Sequence, residues 1–207
     1  MERLTCALII ALFVGTVAAQ LNKVEARQVA KVTDSLGMFT DGRDGKRYYT
    51  RVIGGKRWMA ENLNYQTASG SWCYGSDNSN CGKYGRLYDW KTAKTVCPAG
   101  FHLPSRQEWN DLEANAGGNT AGKKLKTRSG WSNNGNGTDE YGFSALPGGY
   151  RFSGGSFYNA GNNGYWWTAT EGNSGSAYRR DMNYYDDYVY ENYYVKSYGY
   201  SVRCVED

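Results

Sequence analysis

Tyrosine and carboxylate side chains crowd the C-terminal part of this 207-residue chain. Residues 178–200 hold nine tyrosines, interleaved with acidic and amide side chains. The β-branched aliphatic residues of this segment are Val189 and Val195. Tyrosine offers a large contact area with few rotatable bonds, and asparagine offers adaptable hydrogen bonds. Rings can pack on the apolar faces of sugars while carboxylates and amides bond the hydroxyls. The pattern therefore predicts a binding surface for an extracellular polysaccharide or a surface protein.

The candidate ligand-binding residues are exposed phenols and their polar neighbours near the middle of this segment. They are Tyr184, Tyr185, Asp186, Asp187, Tyr188, Tyr190, Glu191, Tyr193 and Tyr194. One alternative stays open: a tyrosine-rich strand pair whose polar groups are satisfied internally, since every second side chain of a strand can face the core.

Catalytic groups are sparse. His102 is the only histidine, whereas a hydrolase needs a nucleophile with a base, or two facing carboxylates. We expect His102 to be a hydrogen-bonded structural residue, and Glu108, Asp111 and Glu113 to be capping or solvent-facing residues of a helix. We therefore expect no enzymatic activity.

The N-terminus has the layout of a secretory signal peptide. A short charged start precedes an apolar run over residues 4–14, and small residues follow, with Val17 and Ala19 at the positions that a signal peptidase reads. We expect cleavage before Gln20, a secreted or cell-surface location, and no later transmembrane segment. Residues 20–38 are interpreted as a linker or a short N-terminal helix, and residues 39–207 as one domain.

Four cysteines follow the predicted cleavage site. Export places them in an oxidising compartment, where we expect them to form disulfides. Four cysteines allow three pairings. Cys73 and Cys81 flank a turn rich in Gly, Ser, Asn and Asp, so they should pair locally, which leaves Cys97 and Cys204 to join the middle of the domain to its last strand. The alternative of a zinc site fails, because the chain has no CxxC motif and one histidine.

Calcium is a weaker hypothesis. Asn134, Asn136 and Asp139 lie in a glycine-rich loop and could offer oxygen ligands to Ca²⁺. A series of Asn-Gly turns is the favoured interpretation, and no other cofactor is expected.

Composition and charge narrow the class further. The chain has 27 Gly, 19 Tyr and 7 Trp against 3 Pro, so we expect a core of large rings with loops that turn on glycine. The net charge is only +4, and an extracellular location argues against a nucleic-acid partner. The one basic cluster is interpreted as a solvated loop face; it comprises Lys123, Lys124, Lys126 and Arg128.

Two helices and an irregular antiparallel sheet should position these groups. Two strand-like runs, 46–53 and 56–59, flank Gly54-Gly55 and predict a hairpin. A first helix is predicted over 86–97 and ends at Pro98. A second begins at Ser105, whose capping box with Glu108 is a start signal, and ends at 117–118. Short strands and glycine loops follow, which predicts an α+β domain.

The chain also resembles a known family. Five stretches carry the likeness in order: GGKRWMAENLNY at 54–65, CPAGFHLPS at 97–105, GFSALPGGYR at 142–151, YWWTATE at 165–171 and SVRCV at 201–205. Together they look like the Fibrobacter succinogenes major paralogous domain family, which resembles the formylglycine-generating (sulfatase-modifying) superfamily with its C-type-lectin-like fold. The resemblance implies N- and C-terminal strands that meet, in agreement with the Cys97–Cys204 pairing, and it supplies no activity.

The resemblance also bears on chemistry. A formylglycine-generating enzyme oxidises its substrate with an active-site cysteine pair, and here all four mature cysteines are assigned to structural disulfides. The tryptophans are interpreted as core residues; they are Trp58, Trp90, Trp109, Trp131, Trp166 and Trp167. Two hypotheses remain: a secreted non-catalytic binding module, or a structural surface or matrix protein without a specific ligand.

Overall fold

The computed structural model describes residues 20–21 and 36–207, and its N-terminal strands include the predicted hairpin. Strand β2 (Arg47–Ile53) pairs with β3 (Lys56–Met59) in antiparallel register, with Ile53 opposite Lys56. Gly54 and Gly55 both adopt positive φ, which the two-residue turn requires. Strand β1 (Leu36–Thr40) lies beside β2 and already begins ahead of the boundary predicted at residue 39. The predicted signal peptide and residues 22–35 lie outside the described residues.

The last strand of the chain completes the first sheet. Strand β13 (Val205–Glu206) lies between β3 and β6 (Phe101–His102), giving a five-stranded sheet in the order β1-β2-β3-β13-β6. Val205 is opposite Trp58 on one side and opposite His102 on the other. The two ends of the domain therefore meet in one sheet.

The second sheet has eight strands and carries the tyrosine-rich segment at its edge. Six of them follow the order β11-β10-β9-β12-β5-β4, and the pair β7–β8 lies off this path, joined to β9 through β7. The strands are β4 (Ser71–Trp72), β5 (Leu87–Tyr88), β7 (Gly148–Arg151), β8 (Phe157–Ala160), β9 (Asn163–Glu171), β10 (Ser176–Asn183), β11 (Tyr190–Val195) and β12 (Tyr200–Ser201).

The first predicted helix is wrong in its extent. Residues 87–88 form β5, which pairs with β4 and β12, and the helix itself is short, α2 (Trp90–Ala93). Asp89 starts it by accepting a hydrogen bond from the Thr92 amide at 2.8 Å. A separate helix that was interpreted as a turn, α1 (Asn78–Tyr84), begins after Asp77, whose side chain accepts from the Ser79 amide.

The second predicted helix is confirmed as α3 (Arg106–Ala116). Ser105 accepts from the Glu108 amide, and the Glu108 carboxylate accepts from the Ser105 amide at 2.8 Å, so both halves of the capping box are present. The buried side of the helix is Trp109, Leu112 and Ala116, as the spacing predicted. A further short helix, α4 (Ala121–Leu125), follows where glycine loops were expected.

Aromatic side chains fill the core, as the composition predicted. Trp58 and Trp109 contact edge-on, with ring centroids 5.3 Å apart, and Trp109 also contacts Trp166. Such ring pairs stabilise a core beyond their buried area. All six tryptophans assigned to the core are buried: Trp58, Trp90, Trp109, Trp131, Trp166 and Trp167.

Both predicted disulfides are present. Cys73 bonds Cys81 across 8 residues, and Cys97 bonds Cys204 across 107 residues. The long bridge lies in the core, because Cys204 is fully buried. Two disulfides indicate an oxidising compartment. Among residues 20–21 and 36–207, no helix has the length and apolar character to cross a bilayer. The chain is thus an α+β domain with few helices, stapled by two disulfides.

Candidate functional site

The structure divides the predicted ligand-binding residues into two groups. Residues 184–188 lie in the loop between β10 and β11, whereas Tyr190 to Tyr194 belong to β11 itself. The loop group lines a cleft, whereas the strand group forms the edge of the large sheet. The segment that looked continuous in sequence therefore offers two different surfaces.

The cleft has a volume of about 520 Å³ and is built from three separate parts of the chain. One wall is the loop at 184–188. The others are residues 119–126, which include α4, and the asparagine-rich residues 133–135. Tyr185 and Tyr188 are the exposed rings of the loop, at 68% and 47% of their full exposure. The structure thereby brings Asn134, a calcium candidate, into the same cleft as the tyrosine candidates.

Two glycines allow the loop to approach its neighbours. A Cβ on Gly122 of α4 would lie 2.5 Å from the carbonyl oxygen of Tyr188, and a Cβ on Gly135 would lie 2.0 Å from that of Tyr184. Both distances are shorter than any normal contact, so only glycine lets the backbones pack at this separation. The cleft exists in this form because these two positions lack side chains.

Lys126 stabilises the loop at 184–188, and its burial corrects one interpretation of the sequence. It was assigned to a solvated basic face, but only 1% of it is exposed. Its Nζ donates to the carbonyl oxygens of Asn183 at 3.0 Å and Asp186 at 2.7 Å. Burial lowers the pKa of this ammonium, an effect that the carboxylates of Asp187 and Asp186 oppose. Lys126 is thus a structural cross-link between the end of β10 and the middle of the loop.

The polar groups of the cleft differ in how many hydrogen bonds they make within the protein. Asp186 is used internally: its carboxylate accepts from the Tyr190 hydroxyl at 2.9 Å and from the Tyr188 amide at 3.2 Å. The Asp187 carboxylate accepts no hydrogen bond from the residues that the structure describes. Lys123 donates to the carbonyl oxygen of Asn136 at 3.2 Å and keeps further protons to donate. The cleft therefore presents both a free acceptor and a free donor beside exposed rings.

The calcium candidates do not share one role. Asn136 accepts a hydrogen bond from the Trp131 amide at 3.0 Å, and Asp139 accepts from the Ser144 amide and hydroxyl, both at 2.8 Å. These contacts stabilise turns, while Asn134 lines the cleft with positive φ. In the described ranges, no group of three or more His, Cys, Asp or Glu side chains is placed to hold a metal ion.

On β11, Glu191 is turned toward α3. Its carboxylate accepts from Arg106 Nε at 2.7 Å and from Arg180 Nη2 at 2.5 Å. Burial opposes ionisation of Glu191, but these two arginines outweigh it and lower its pKa. Glu191 therefore joins β11 to β10 and α3 through charge-assisted hydrogen bonds.

The tyrosines of β11 lie on its two faces in alternation. Tyr194 covers the guanidinium of the buried Arg179, whose Cζ lies 4.5 Å from the ring centroid. Tyr193 lies on the other face and contacts the Tyr178 ring edge-on at 5.8 Å. Tyr190 is tied to the loop through Asp186. These phenols are partly exposed along the edge of the sheet, away from the cleft.

His102 lies between two carboxylates. Its Nδ1 is 2.7 Å from Asp207 Oδ1, and its Nε2 is 3.0 Å from Glu108 Oε1. Burial opposes protonation, but these two partners outweigh it and raise the His102 pKa. Lys56 joins the same cluster, with its Nζ 2.9 Å from Glu108. Because both ring nitrogens are engaged, His102 offers no free nitrogen to act as a base on a substrate.

Sequence reasoning did not identify Asn119, Thr120, Asn133 or the two close-approach glycines as part of the site. The available signal was the run Asn133-Asn134-Gly135, which predicted turns but not the surface that those turns pack against.

Comparison with known proteins gives one result. None of the curated proteins and none of the solved structures matches the chain. The model of the Fibrobacter succinogenes major domain matches residues 52–206, most of the chain, and the protein therefore belongs to that family.

Proposed function

We propose that this chain is an exported, non-catalytic binding module that holds a polysaccharide in the cleft formed by residues 119–126, 133–135 and 184–188. One observation carries the proposal: three distant segments converge to place exposed phenol rings beside polar groups that are not used internally. Ring faces and adaptable polar groups in one concave surface are the mixture that binding sites use.

The charges of the cleft favour a neutral, hydroxyl-rich ligand. Lys123 and Lys126 contribute two positive charges, and Asp186 and Asp187 contribute two negative charges, so the cleft has no strong preference for an ion of either sign. Lys126 and Asp186 are engaged in holding the loop. Lys123 and Asp187 remain as a donor and an acceptor, a pair that suits hydroxyl groups, which can both donate and accept.

Binding tests the proposal directly. The oxidised, exported protein is screened against immobilised polysaccharides and oligosaccharides, beside three variants: Tyr185→Ala, Asp187→Asn and Tyr193→Ala. Tyr185 and Tyr193 are similarly exposed, at 68% and 57%, but only Tyr185 lines the cleft. We expect Tyr185→Ala to weaken binding about tenfold to hundredfold, and Tyr193→Ala to leave it within about twofold.

Other outcomes assign the function differently. Equal losses at Tyr185 and Tyr193 would place the ligand on the whole tyrosine segment instead of the cleft. Absence of binding to any saccharide, with the fold intact, would exclude a polysaccharide ligand and favour either a protein ligand or a structural surface or matrix protein. Each assay is repeated with Ca²⁺ and with a chelator; a loss of binding in the chelator would support a calcium site that includes Asn134.

We also infer that the fold is C-type-lectin-like and related to the formylglycine-generating superfamily. The pairing of β13 with β3 supports this inference, because that superfamily brings its terminal strands together. The disulfide from Cys97 to Cys204, the small helical content and the irregular sheets agree with it. Export through the N-terminal signal is part of the same proposal and is supported by the two disulfides.

A further inference from the structure

Strand β11 is the outermost strand of the eight-stranded sheet. It pairs with β10 without a shift along its whole length, from Tyr190 opposite Asp181 to Val195 opposite Ser176. Its other edge pairs with no strand in the described part of the chain. An edge of this kind presents a row of backbone N–H and C=O groups that can pair with another strand.

The strand lacks most of the features by which soluble proteins protect such an edge. Residues 190–195 read YENYYV, with no proline, no lysine and no arginine. The one charged residue, Glu191, points to Arg106 and Arg180 and is neutralised there. The pairing with β10 has no bulge that would twist the edge away. Protected edges carry outward or inward-pointing charges, prolines or bulges; of these features β11 has the inward-pointing Glu191, which Arg106 and Arg180 neutralise.

Strand β11 carries exposed aromatic or aliphatic side chains on both faces of the sheet, beside the polar Glu191 and Asn192. Tyr190 and Tyr194 lie on the face of Arg179, and Tyr193 and Val195 lie on the face of α3. Each of these four side chains is more than a third exposed. A second strand beside β11 would therefore find contacts above and below the sheet as well as along the backbone.

We propose that β11 is a self-association surface, at which two copies of this chain pair antiparallel, edge to edge, about a two-fold axis at Asn192. In this register Tyr190 of one copy faces Tyr194 of the other, twice, and Asn192 faces its own copy. Glu191 faces Tyr193, so no like charges are opposed. Aromatic cross-strand pairs stabilise a sheet, and a two-fold interface must be self-complementary.

The neighbouring register, centred on Tyr193, is less favourable. It pairs Asn192 with Tyr194 and Glu191 with Val195, and it leaves one aromatic pair at the axis. The register at Asn192 contains two tyrosine pairs and one pair of Asn192 side chains, each of which also donates to Asp181 of its own copy at 3.2 Å. The surface uses residues other than those that line the cleft, so the inference stands independently of the proposed function.

A charge exchange at Asn192 tests both the partner and the register. The full exported chain is examined by sedimentation equilibrium from about 1 to 100 μM, and the parent is expected to form dimers in this range. Asn192→Lys and Asn192→Asp each place two like charges opposite each other across the axis. Asn192→Asp also replaces the hydrogen bond from Asn192 to Asp181 of its own copy, at 3.2 Å, by a pair of carboxylates, so its melting temperature is compared with that of Asn192→Lys. We expect each variant to raise the dimer dissociation constant at least about tenfold, and an equimolar mixture of the two to restore it.

Controls separate self-association from a folding defect. Circular dichroism and thermal melting establish that each variant is folded. Tyr49→Lys adds a charge at an exposed site on β2, which lies between β1 and β3 in the other sheet, and no effect on dimerisation is expected there. An independent variant, Asn192→Cys, should oxidise to a covalent dimer faster than Ser197→Cys, because only the former places two thiols opposite each other.

Three results would overturn the proposal: a parent that stays monomeric at the highest concentration, charge variants as dimeric as the parent, or a mixture that associates no better than either variant alone. Equal oxidation rates for the two cysteine variants would likewise exclude the register at Asn192.

Discussion

The guanidinium of Arg203 donates through Nη2 to the side-chain oxygen of Asn62 at 2.7 Å, and both residues are buried. The same oxygen accepts from the indole of Trp166 at 2.8 Å. The Asn62 amide in turn donates to the carbonyl oxygen of Tyr84 at 2.9 Å. Three of the family stretches, at 54–65, 165–171 and 201–205, therefore meet at one side chain. Arg203 has no carboxylate partner among the described residues, so this network of neutral acceptors replaces a salt bridge.

Asn62→Ala should destabilise the fold strongly. The substitution leaves the buried donors of Arg203 and Trp166 without their acceptor, and we expect a loss of about 3 to 5 kcal/mol in the free energy of unfolding. Urea denaturation measures it. Asn64→Ala is the matched control, because the Asn64 side chain is partly exposed and only its backbone amide is bonded, to Tyr48. A loss below about 1 kcal/mol at Asn62 would contradict this role.

Protonation of Glu108 should account for much of the loss in the free energy of unfolding at acid pH. Burial opposes its ionisation, but hydrogen bonds from the Ser105 amide, Lys56 and His102 outweigh it and lower the Glu108 pKa to about 2. A lowered carboxyl pKa contributes stability that is complete above its ordinary value of 4.5 and is lost as the pH falls toward 2. Glu108→Gln keeps a capping side chain and should remove about 2 kcal/mol at pH 7.

Denaturant melts from pH 7 to pH 2 follow this effect. The variant should lose less stability than the parent between pH 4.5 and pH 2, the window set by the two pKa values. Glu140→Gln serves as the control, since Glu140 is exposed and its ion pair with Lys124 is long, at 3.6 Å. If Glu108→Gln loses as much stability as the parent over this pH range, other carboxylates cause the acid destabilisation.

Gly135→Ala should deform the cleft. The added methyl would lie 2.0 Å from the Tyr184 carbonyl oxygen, so the loop at 184–188 must move away. We expect a loss of about 1 to 3 kcal/mol in stability and a loss of ligand binding. Gly82→Ala is the matched control within α1, where a Cβ meets nothing within 4 Å. That substitution should stabilise the helix by about 0.5 to 1 kcal/mol. Equal effects at the two glycines would exclude a close approach at Gly135.

Local signals explain why parts of the fold could be predicted. The hairpin at Gly54-Gly55 and the capping box of Ser105 and Glu108 depend on neighbouring residues, so the sequence contains all of the relevant information. The prediction over residues 86–97 failed because an apolar spacing of helical period does not reveal a strand partner. Leu87 and Tyr88 pair with Ser201 and Tyr200, more than a hundred residues away.

By itself, the sequence determined the aromatic core, the pairing of four cysteines, the mixed α+β class and the family resemblance, because these follow from composition, spacing and ordered motifs. Only the tertiary structure decided which tyrosines share a cleft and which form a sheet edge. That division depends on contacts between distant segments: Gly122 and Gly135 permit the loop to approach, and Lys126 is buried beneath it. In sequence, Lys126 resembles a solvated lysine, since burial is a property of what the rest of the chain places around it.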